Sequence, residues 1–127
     1  LDPYWRPGTQ TKASFAAFAE TEITRPEALW LVAEGGNSIV GYFSAEIQTA
    51  KPHIAVSKIG HISGGFILEE YRGKGIAKRA VAMICDWFRE QGASVAELTV
   101  DSRNSGGVKA WESLGFKEHM KRMKMDL

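Results

Sequence analysis

The sequence predicts an α+β domain in which helices cover a central, mostly antiparallel sheet. Two patterns indicate this class: an early hairpin, which pairs its strands antiparallel, and a later glycine-rich turn that leads from a strand into an amphipathic helix. The predicted order is helix, hairpin, strand, helix, strand, helix, strand. A chain of 127 residues can bury one hydrophobic core. We therefore predict a single domain over residues 1–127, whose N-terminal part could be incomplete because the sequence starts at Leu1 rather than at a methionine.

The first half of the chain predicts a helix followed by the hairpin. Prolines and a glycine in residues 1–10 suit a loop. Apolar side chains then recur on one face of a short amphipathic helix: Phe15, Phe18, Ala19 and Ile23. Residues 27–49 contain two apolar, β-branched or aromatic runs separated by Glu-Gly-Gly-Asn-Ser. Because glycine and asparagine accept positive φ, this segment predicts the hairpin.

The middle of the chain predicts a strand and a helix. The strand is expected over residues 58–68, where Gly64 and Gly65 indicate a bulge or a close approach of another group. From Gly75 the apolar residues recur at spacings of three and four, which predicts a helix that ends near Gly92. The apolar residues of this helix are Ile76, Ala80, Met83, Ile84, Trp87 and Phe88.

The last third of the chain is expected to add a strand, a short helix and a final strand. Residues 94–100 have the strand pattern, and residues 104–115 predict a helix with its stop at a glycine. In the remaining residues, Met123, Met125 and Leu127 alternate with charged side chains. That period of two predicts a final strand whose methionines lie in the core.

Composition argues against several classes of function. The formal net charge is +1, whereas proteins that coat nucleic acid or an anionic membrane usually have a large basic excess. No apolar run approaches membrane-spanning length, and the N-terminus lacks a signal-peptide pattern. We therefore expect no nucleic-acid partner and no membrane partner.

The cysteine and histidine content indicates a compartment and excludes a metal site. Cys85 is the only cysteine, so no internal disulfide can form, and a cytoplasmic location fits best. Its position in the predicted helix indicates a buried thiol rather than a nucleophile. His53 and His119 share no ligand spacing with acidic residues or with the cysteine, so we expect no metal.

The Arg-Gly-Lys-Gly turn ahead of the long helix predicts an anion site. Such a turn leaves several backbone N–H groups pointing at one place, with the positive end of the helix dipole behind them. Gly73 and Gly75 have no Cβ to block approach. Arg72, Lys74 and Lys78 add positive charge, which suits a pyrophosphate better than a carboxylate. The alternative is a solvated basic start of a helix.

Two known nucleotide-binding motifs do not fit the same residues. The P-loop requires Ser or Thr after the lysine, but Gly75 follows Lys74. The dinucleotide fingerprint requires a third glycine or an alanine where Lys78 stands. The turn therefore matches neither of these two motifs.

Residues 72–77, Arg-Gly-Lys-Gly-Ile-Ala, match the Arg/Gln-x-x-Gly-x-Gly/Ala signature of the GNAT superfamily of N-acyltransferases. Residues 64–92 resemble that family's fourth strand and third helix. Residues 95–116 resemble its fifth strand, its asparagine-containing turn and the helix that ends in Leu-Gly-Phe. The resemblance extends over residues 28–127. It implies the GNAT fold: a mixed, mostly antiparallel central sheet with splayed strands 4 and 5 and with helices on both faces.

The resemblance also implies a co-substrate, acetyl-CoA, and the residues that bind it. In the family, the amides of the signature bind the pyrophosphate, and the splayed strand 4 pairs its free backbone groups with the pantetheine arm. Asn104 stands where the family's asparagine meets the cofactor, and a helix N-cap is its alternative role. The implied cofactor-binding residues are Gly65, Phe66, Ile67, Arg72, Gly73, Lys74, Gly75, Ile76, Ala77, Lys78 and Asn104.

The family's reaction is a direct attack by a neutral amine on the thioester carbonyl. It needs a base for the amine, an N–H donor for the oxyanion and a proton for the leaving sulfur. A backbone amide near Phe66 or Ile67 could serve the oxyanion. His61 is the candidate base, and a hydrogen-bonded structural histidine is the alternative. A period of two puts His61 on the same face as Ser63 and Gly65, unless a bulge intervenes.

The general acid is the point at which this chain departs from the family pattern. Most relatives have a tyrosine where this chain has Trp111, and an indole N–H cannot deliver a proton. The thiolate would have to leave unprotonated, or water, Ser105 or Ser113 would have to supply the proton. Packing in the core or against the cofactor is the alternative role of Trp111. Glu69 and Glu70 lie near the turn, where they could equally pair with its basic residues, and receive no catalytic role.

The resemblance implies an acetyl-CoA-dependent N-acetyltransferase that acts on a primary amine of a small-molecule or peptide acceptor. The missing acid favours one alternative, a non-catalytic acyl-CoA-binding or sensing module of the same fold. A second alternative, a nucleic-acid-binding domain, is disfavoured by the net charge. It would use Lys74, Lys78, Arg79, Lys121 and Arg122. A homodimer is common in the family, and no residue here argues for one independently.

Overall fold

A computed structural model describes residues 26–35, 38–49 and 58–127. The predicted N-terminal loop and helix lie outside these residues. A four-stranded sheet in the order β1-β2-β3-β4 forms the centre. Its strands are β1 (Ala28–Gly35), β2 (Ser38–Thr49), β3 (Lys58–Ile67) and β4 (Val95–Leu98). A 3-10 turn (Glu69–Tyr71) precedes helix α1 (Ile76–Glu90), and helix α2 (Ser105–Ser113) follows β4.

Antiparallel pairing joins the first three strands, and parallel pairing adds the fourth. β1 pairs with β2 and β2 with β3 in antiparallel register, as the hairpin pattern predicts. β4 runs parallel to β3, from Ile59 opposite Val95 to Ile62 opposite Leu98. Parallel neighbours need a crossover connection, and α1 provides it. The predicted α+β class with a mixed, mostly antiparallel sheet is confirmed.

The core lies between the sheet and α1. The buried residues of α1 recur at spacings of three and four: Ala80, Val81, Ile84 and Phe88. Three of these helix residues form one buried cluster with sheet residues: Ala80, Ile84 and Phe88 with Phe43, Ala45 and Ile62. Gly60 makes room for the Phe88 ring, because a Cβ at that position would stand 2.3 Å from ring atoms. Among the described residues, no helix is long and apolar enough to cross a membrane.

An irregularity in the β2–β3 pairing confirms the disruption that the paired glycines predict. Between Ser44 and Ala45 of β2, the register skips one residue of β3, Ser63. This extra residue is a β-bulge, one position before the glycines. Gly65 shows the other predicted feature, a close approach, since a Cβ there would lie 2.5 Å from the ring of Phe43.

The prediction of a final strand is wrong. Residues 116–127 form no strand, and within the described part of the chain the sheet ends at β4. The methionines predicted to lie in the core are exposed, with Met123 at 91% and Met125 at 81% relative accessibility. A period of two predicts which side chains share a face, but burial also needs a neighbouring strand and a covering layer.

Candidate functional site

A turn with two left-handed glycines connects β3 to α1. Gly73 has φ of +75° and Gly75 has φ of +81°, a conformation that side chains with a Cβ rarely adopt. Gly75 is also the N-cap of α1. Apart from each glycine and its two neighbours in the chain, no described residue has an atom within 4 Å of the place where a Cβ of either glycine would stand. The space beside this glycine turn, residues 72–75, is therefore open.

The backbone of the glycine turn presents a set of unbonded donors. The first hydrogen bond at the start of α1 is from the Arg79 N–H to the Gly75 carbonyl, at 3.1 Å. Within the described chain, the N–H groups of residues 73–78 have no acceptor. The first turn of α1 has no acidic side chain, and Gly75 offers no side-chain cap. Free donors at the positive end of a helix dipole are the arrangement that an anion site requires.

Two cations flank the turn and rest on aromatic rings. Arg72 donates from Nε to the carbonyl of Ile67 at 2.9 Å, and its guanidinium lies 5.7 Å from the ring centroid of Phe66. Lys74 Nζ lies 5.3 Å from the ring centroid of Tyr71. In the described structure, the glutamates of the 3-10 turn form no ion pair with either cation. The positive charges therefore remain available to an anion.

The end of β3 has an open edge on the side away from β2. Leu68 donates its N–H to the Val40 carbonyl at 2.8 Å, which closes the β2–β3 ladder. In an antiparallel ladder, alternate residues bond to the partner strand, so the backbone groups of Gly65 and Ile67 point away from β2. β4 has already ended beside Ile62. Among the described residues, no strand therefore covers this side of residues 63–67, and we call it the open edge.

The bulge decides which face His61 occupies. His61 lies opposite Glu46 of β2 and opposite Glu97 of β4. A Cβ at Gly65, by contrast, would point at the ring of the core residue Phe43. The bulge has shifted the alternation by one residue, so the exception allowed in the prediction applies, and His61 and Gly65 lie on opposite faces. His61 Nδ1 is buried without a hydrogen-bond partner, and Glu97 Oε1 lies 3.9 Å from it.

Asn104 caps α2, as one of its two predicted roles requires. Its Oδ1 accepts a hydrogen bond from the N–H of Gly107 at 3.0 Å. The loop before it is tied by Asp101, whose carboxylate accepts bonds from the side chain and the backbone N–H of Arg103. The side-chain hydrogen bonds lower the pKa of Asp101 from 3.8 to about 2. Asn104 therefore starts α2 from an ordered turn.

The Trp111 side chain packs against other side chains instead of extending into solvent. Its ring makes an edge contact with Phe116 at a centroid distance of 5.6 Å, and it lies against the buried cluster. Ser113 donates its hydroxyl to the Ala110 carbonyl at 2.6 Å, so this hydroxyl already has a partner.

Cys85 is half-buried. Burial raises the pKa of its thiol, which does not favour a thiolate nucleophile.

Glu97 is a neighbour of His61 that the sequence does not reveal. Its place beside His61 depends on the register of a parallel pair, and no local pattern encodes such a register. Within the described residues, no group of three His, Cys, Asp or Glu side chains is arranged to hold a metal ion.

The acetyltransferase (GNAT) family profile matches residues 1–116 of this chain. The chain belongs to this family. An uncharacterised N-acetyltransferase of Methanocaldococcus jannaschii is 24% identical over 94 residues, which are 74% of this chain and 41% of the relative. The glucosamine 6-phosphate N-acetyltransferase of Trypanosoma brucei brucei is 30% identical over 69 residues, 54% of this chain and 45% of the relative. The GNAT chain thus spans less than half the length of these curated relatives.

Solved structures confirm the predicted GNAT fold. The aminoglycoside N-acetyltransferase AAC(6')-Iy, bound to the bisubstrate analogue CoA-S-monomethyl-acetylneamine, has a TM-score of 0.83 at 20% identity, covering 100% of this chain and 86% of its own. An aminoglycoside 6'-N-acetyltransferase from Acinetobacter haemolyticus has a TM-score of 0.81 at 19% identity. The match covers 94% of this chain and 83% of that structure. A transcriptional regulator from Bacillus halodurans has a TM-score of 0.80 at 23% identity. The match covers 98% of this chain and 82% of that structure.

Proposed function

We propose that this GNAT domain binds acetyl-CoA and transfers the acetyl group to a primary amine of a small-molecule or peptide acceptor. One observation supports the proposal most directly: an edge without a partner strand is followed along the chain by a group of free N–H donors. The open edge of β3 leads into the free N–H groups of the glycine turn. A ligand with an extended, amide-containing arm and a diphosphate at its end is suited to both.

The glycine turn is the proposed pyrophosphate site. The N–H groups of residues 73–78 converge at the positive end of α1, where an anion replaces the missing acceptors. Lys74 and Lys78 are exposed beside them and add charge. The left-handed glycines keep the approach clear of side chains. The proposed residues of this part of the site are Arg72, Gly73, Lys74, Gly75, Ile76, Ala77 and Lys78.

The open edge is the proposed pantetheine site. An extended ligand adds to such an edge as another strand would, because its amides bond to unpaired backbone groups. Gly65 and Ile67 direct their groups to this side, with Phe66 between them. Arg72 already donates to the Ile67 carbonyl, so a pantetheine amide would share or displace that bond. Asn104 completes the proposed site from the start of α2.

The proposed chemistry is attack of a neutral amine nitrogen on the thioester carbonyl carbon. Bound acetyl-CoA supplies the activated acetyl group. We propose His61 as the base that accepts the ammonium proton. The backbone alternation favours the N–H of Ile67 or Gly65 as the oxyanion donor, because the N–H of Phe66 points towards β2. Trp111 cannot supply the proton for the leaving thiolate, so this proton comes from the attacking nitrogen or from water.

Calorimetric titration with acetyl-CoA and CoA tests the binding proposal. We expect the wild type to bind both, and Gly75→Glu to weaken binding at least about tenfold, or about 1.4 kcal/mol, because a carboxylate enters the phosphate site. Gly92→Glu is the matched control. Gly92 also has a left-handed φ, of +88°, but it lies at the other end of α1. Both variants therefore incur the same kind of backbone strain, and only one changes the site.

A shortened ligand separates the two halves of the proposed site. Acetyl-pantetheine has the thioester arm without the diphosphate, so its weaker binding should not respond to Gly75→Glu. If a folded wild type binds neither acetyl-CoA nor CoA, the proposal is wrong. Equal losses in the Gly75 and Gly92 variants would indicate general destabilisation and would remove the pyrophosphate assignment.

A non-catalytic acyl-CoA-binding module is the second candidate, and the packing of Trp111 favours it. Loss of a general acid costs about 10²–10⁴ in rate, while positioning of two substrates can still supply much of the acceleration. Turnover of any amine at a rate above the uncatalysed reaction would exclude this candidate.

The names of the relatives guide the choice of acceptors. One relative is named for glucosamine 6-phosphate, and several structural neighbours are aminoglycoside acetyltransferases. We therefore propose a small-molecule amine first, and glucosamine 6-phosphate and neamine as the first acceptors to assay. The cytoplasm is the proposed compartment.

A further inference from the structure

Three titratable side chains form a row across β2, β3 and β4. His61 stands in register with Glu46 on one side and with Glu97 on the other. Residues directly opposite each other in neighbouring strands project from the same face of a sheet. Gly60 and Ile62, the neighbours of His61 in β3, face the core under α1. The row therefore lies on the opposite face of the sheet.

The imidazole of His61 has one nitrogen that lacks a partner. Its Nδ1 is buried without a hydrogen bond, although the side chain as a whole is 23% exposed. Glu97 Oε1 lies 3.9 Å from this nitrogen, just beyond hydrogen-bond distance. The Glu97 side chain is 48% exposed, so a small rotation brings its carboxylate into range. Burial of a polar atom without a partner is unfavourable, which drives this contact.

Glu46 is less suited to the same role. Its Oε1 already accepts a hydrogen bond from Gln48 Nε2 at 3.0 Å. Glu46 still contributes negative charge beside the imidazole from the β2 side. Glu97, on the β4 side, places Oε1 3.9 Å from Nδ1.

We propose that Glu97 is a positioning residue that fixes the tautomer and the orientation of His61. By accepting a hydrogen bond from Nδ1–H, it leaves Nε2 unprotonated and able to act as the base. This inference rests on the proposed acetyl transfer and gives that reaction its proton acceptor. A carboxylate that orients a histidine in this way also stabilises the imidazolium that forms when the histidine takes up a proton.

The proton balance of the transfer follows from this arrangement. The acceptor ammonium gives one proton to His61 Nε2 and becomes a neutral amine. Its nitrogen then forms a bond to the acetyl carbon, and the carbon–sulfur bond breaks. The second proton of the attacking nitrogen goes to the departing thiolate, directly or through water. The imidazolium returns its proton to solvent, so the products are an amide, a thiol and one released proton.

The tautomer of His61 can be measured without any substrate. Nitrogen-15 NMR of the imidazole distinguishes Nδ1–H from Nε2–H, and His61→Asn assigns the signal among the three histidines of the chain. We expect the Nδ1–H form in the wild type and its loss in Glu97→Ala. Glu97→Gln retains an amide oxygen that can accept the bond, so it should preserve the tautomer. Glu90→Ala, at an exposed position of α1, is the control.

Kinetics with neamine and glucosamine 6-phosphate provide the second readout. Glu97→Ala should lower kcat about 10–100-fold, by analogy with the loss seen when the hydrogen-bond partner of a metal-bound histidine is removed. The KM for acetyl-CoA and its calorimetric affinity should not change, and Glu97→Gln should recover most of kcat. His61→Asn should lower kcat at least as much as Glu97→Ala.

These outcomes separate the inference from the proposed function. If the wild type does not bind acetyl-CoA, the proposed function fails, whatever the tautomer. If it binds and turns over an amine while Glu97→Ala keeps the wild-type kcat, the role of Glu97 is wrong and the function stands. If neither amine is a substrate, the NMR result decides: an Nε2–H tautomer in the wild type, or no change in Glu97→Ala, would overturn the positioning role.

Discussion

Gly64 and Gly65 are adjacent residues of β3 with different surroundings. A Cβ at Gly65 would stand 2.5 Å from the ring of Phe43, which belongs to the buried cluster. A Cβ at Gly64 would stand 3.5 Å from the Ser44 hydroxyl, an ordinary contact. The two positions therefore differ in packing, although both belong to the same short segment and neither has a positive φ.

Alanine substitutions test this difference. Gly65→Ala should lower the free energy of unfolding by about 1–3 kcal/mol, because the Phe43 ring must move within a packed core. Gly64→Ala should change it by less than about 0.5 kcal/mol. Urea denaturation of both variants gives the two values. Equal values would mean that the core beside Phe43 adapts without cost.

At the level of elements, the start of α2 combines a structural role with a proposed binding role in one residue. Asn104 accepts the hydrogen bond of the Gly107 N–H through Oδ1. The amide nitrogen of the same side chain is the group that could donate to a bound cofactor. A single side chain can fill both roles because they use different atoms.

Two substitutions at this position separate the roles. Asn104→Ala should lower the free energy of unfolding by about 1 kcal/mol through loss of the cap, whereas Asn104→Asp should retain the cap. Asn104→Asp should nevertheless weaken acetyl-CoA binding, because it replaces a donor by a carboxylate. Thermal unfolding reports the cap, and calorimetry reports the binding. Unchanged affinity in a stable Asp variant would limit Asn104 to capping.

At the scale of the whole molecule, locally encoded features are the ones that the sequence predicts. The hairpin follows from turn residues between two apolar runs, and α1 follows from its period and from Gly92 beyond its end. The free donors of the proposed anion site also follow locally, because the same few residues form the turn and carry these N–H groups. Such features depend on residues that are close in the chain.

Features that depend on distant residues were predicted less well. The prediction of a final strand is wrong because the alternation in residues 116–127 carries no information about a neighbouring strand. His61 and Gly65 lie on opposite faces of the sheet because of a bulge, and the exact position of this bulge depends on pairing with β2. The approach of Glu97 depends on the parallel register with β4. Registers and bulges are decided by tertiary packing, which a local pattern does not contain.

The short pairing of β3 with β4 has a consequence for local unfolding. Their pairing ends at Ile62 and Leu98, so the sheet has a weak seam between its antiparallel part and the β4–α2 part. Segments with few cross-strand bonds open at a lower free energy than the rest of a domain. A ligand that binds along the open edge would join the two parts.

Hydrogen exchange can detect this joining. With acetyl-CoA at about 100 times its dissociation constant, stability should rise by about 2.7 kcal/mol, and the amides of Gly65 and Ile67 should exchange more slowly. Protection confined to the glycine turn would show that the ligand does not reach the edge. If the edge is protected, the ligand serves as an extra strand, and its concentration then determines how cooperatively the two parts of the sheet unfold.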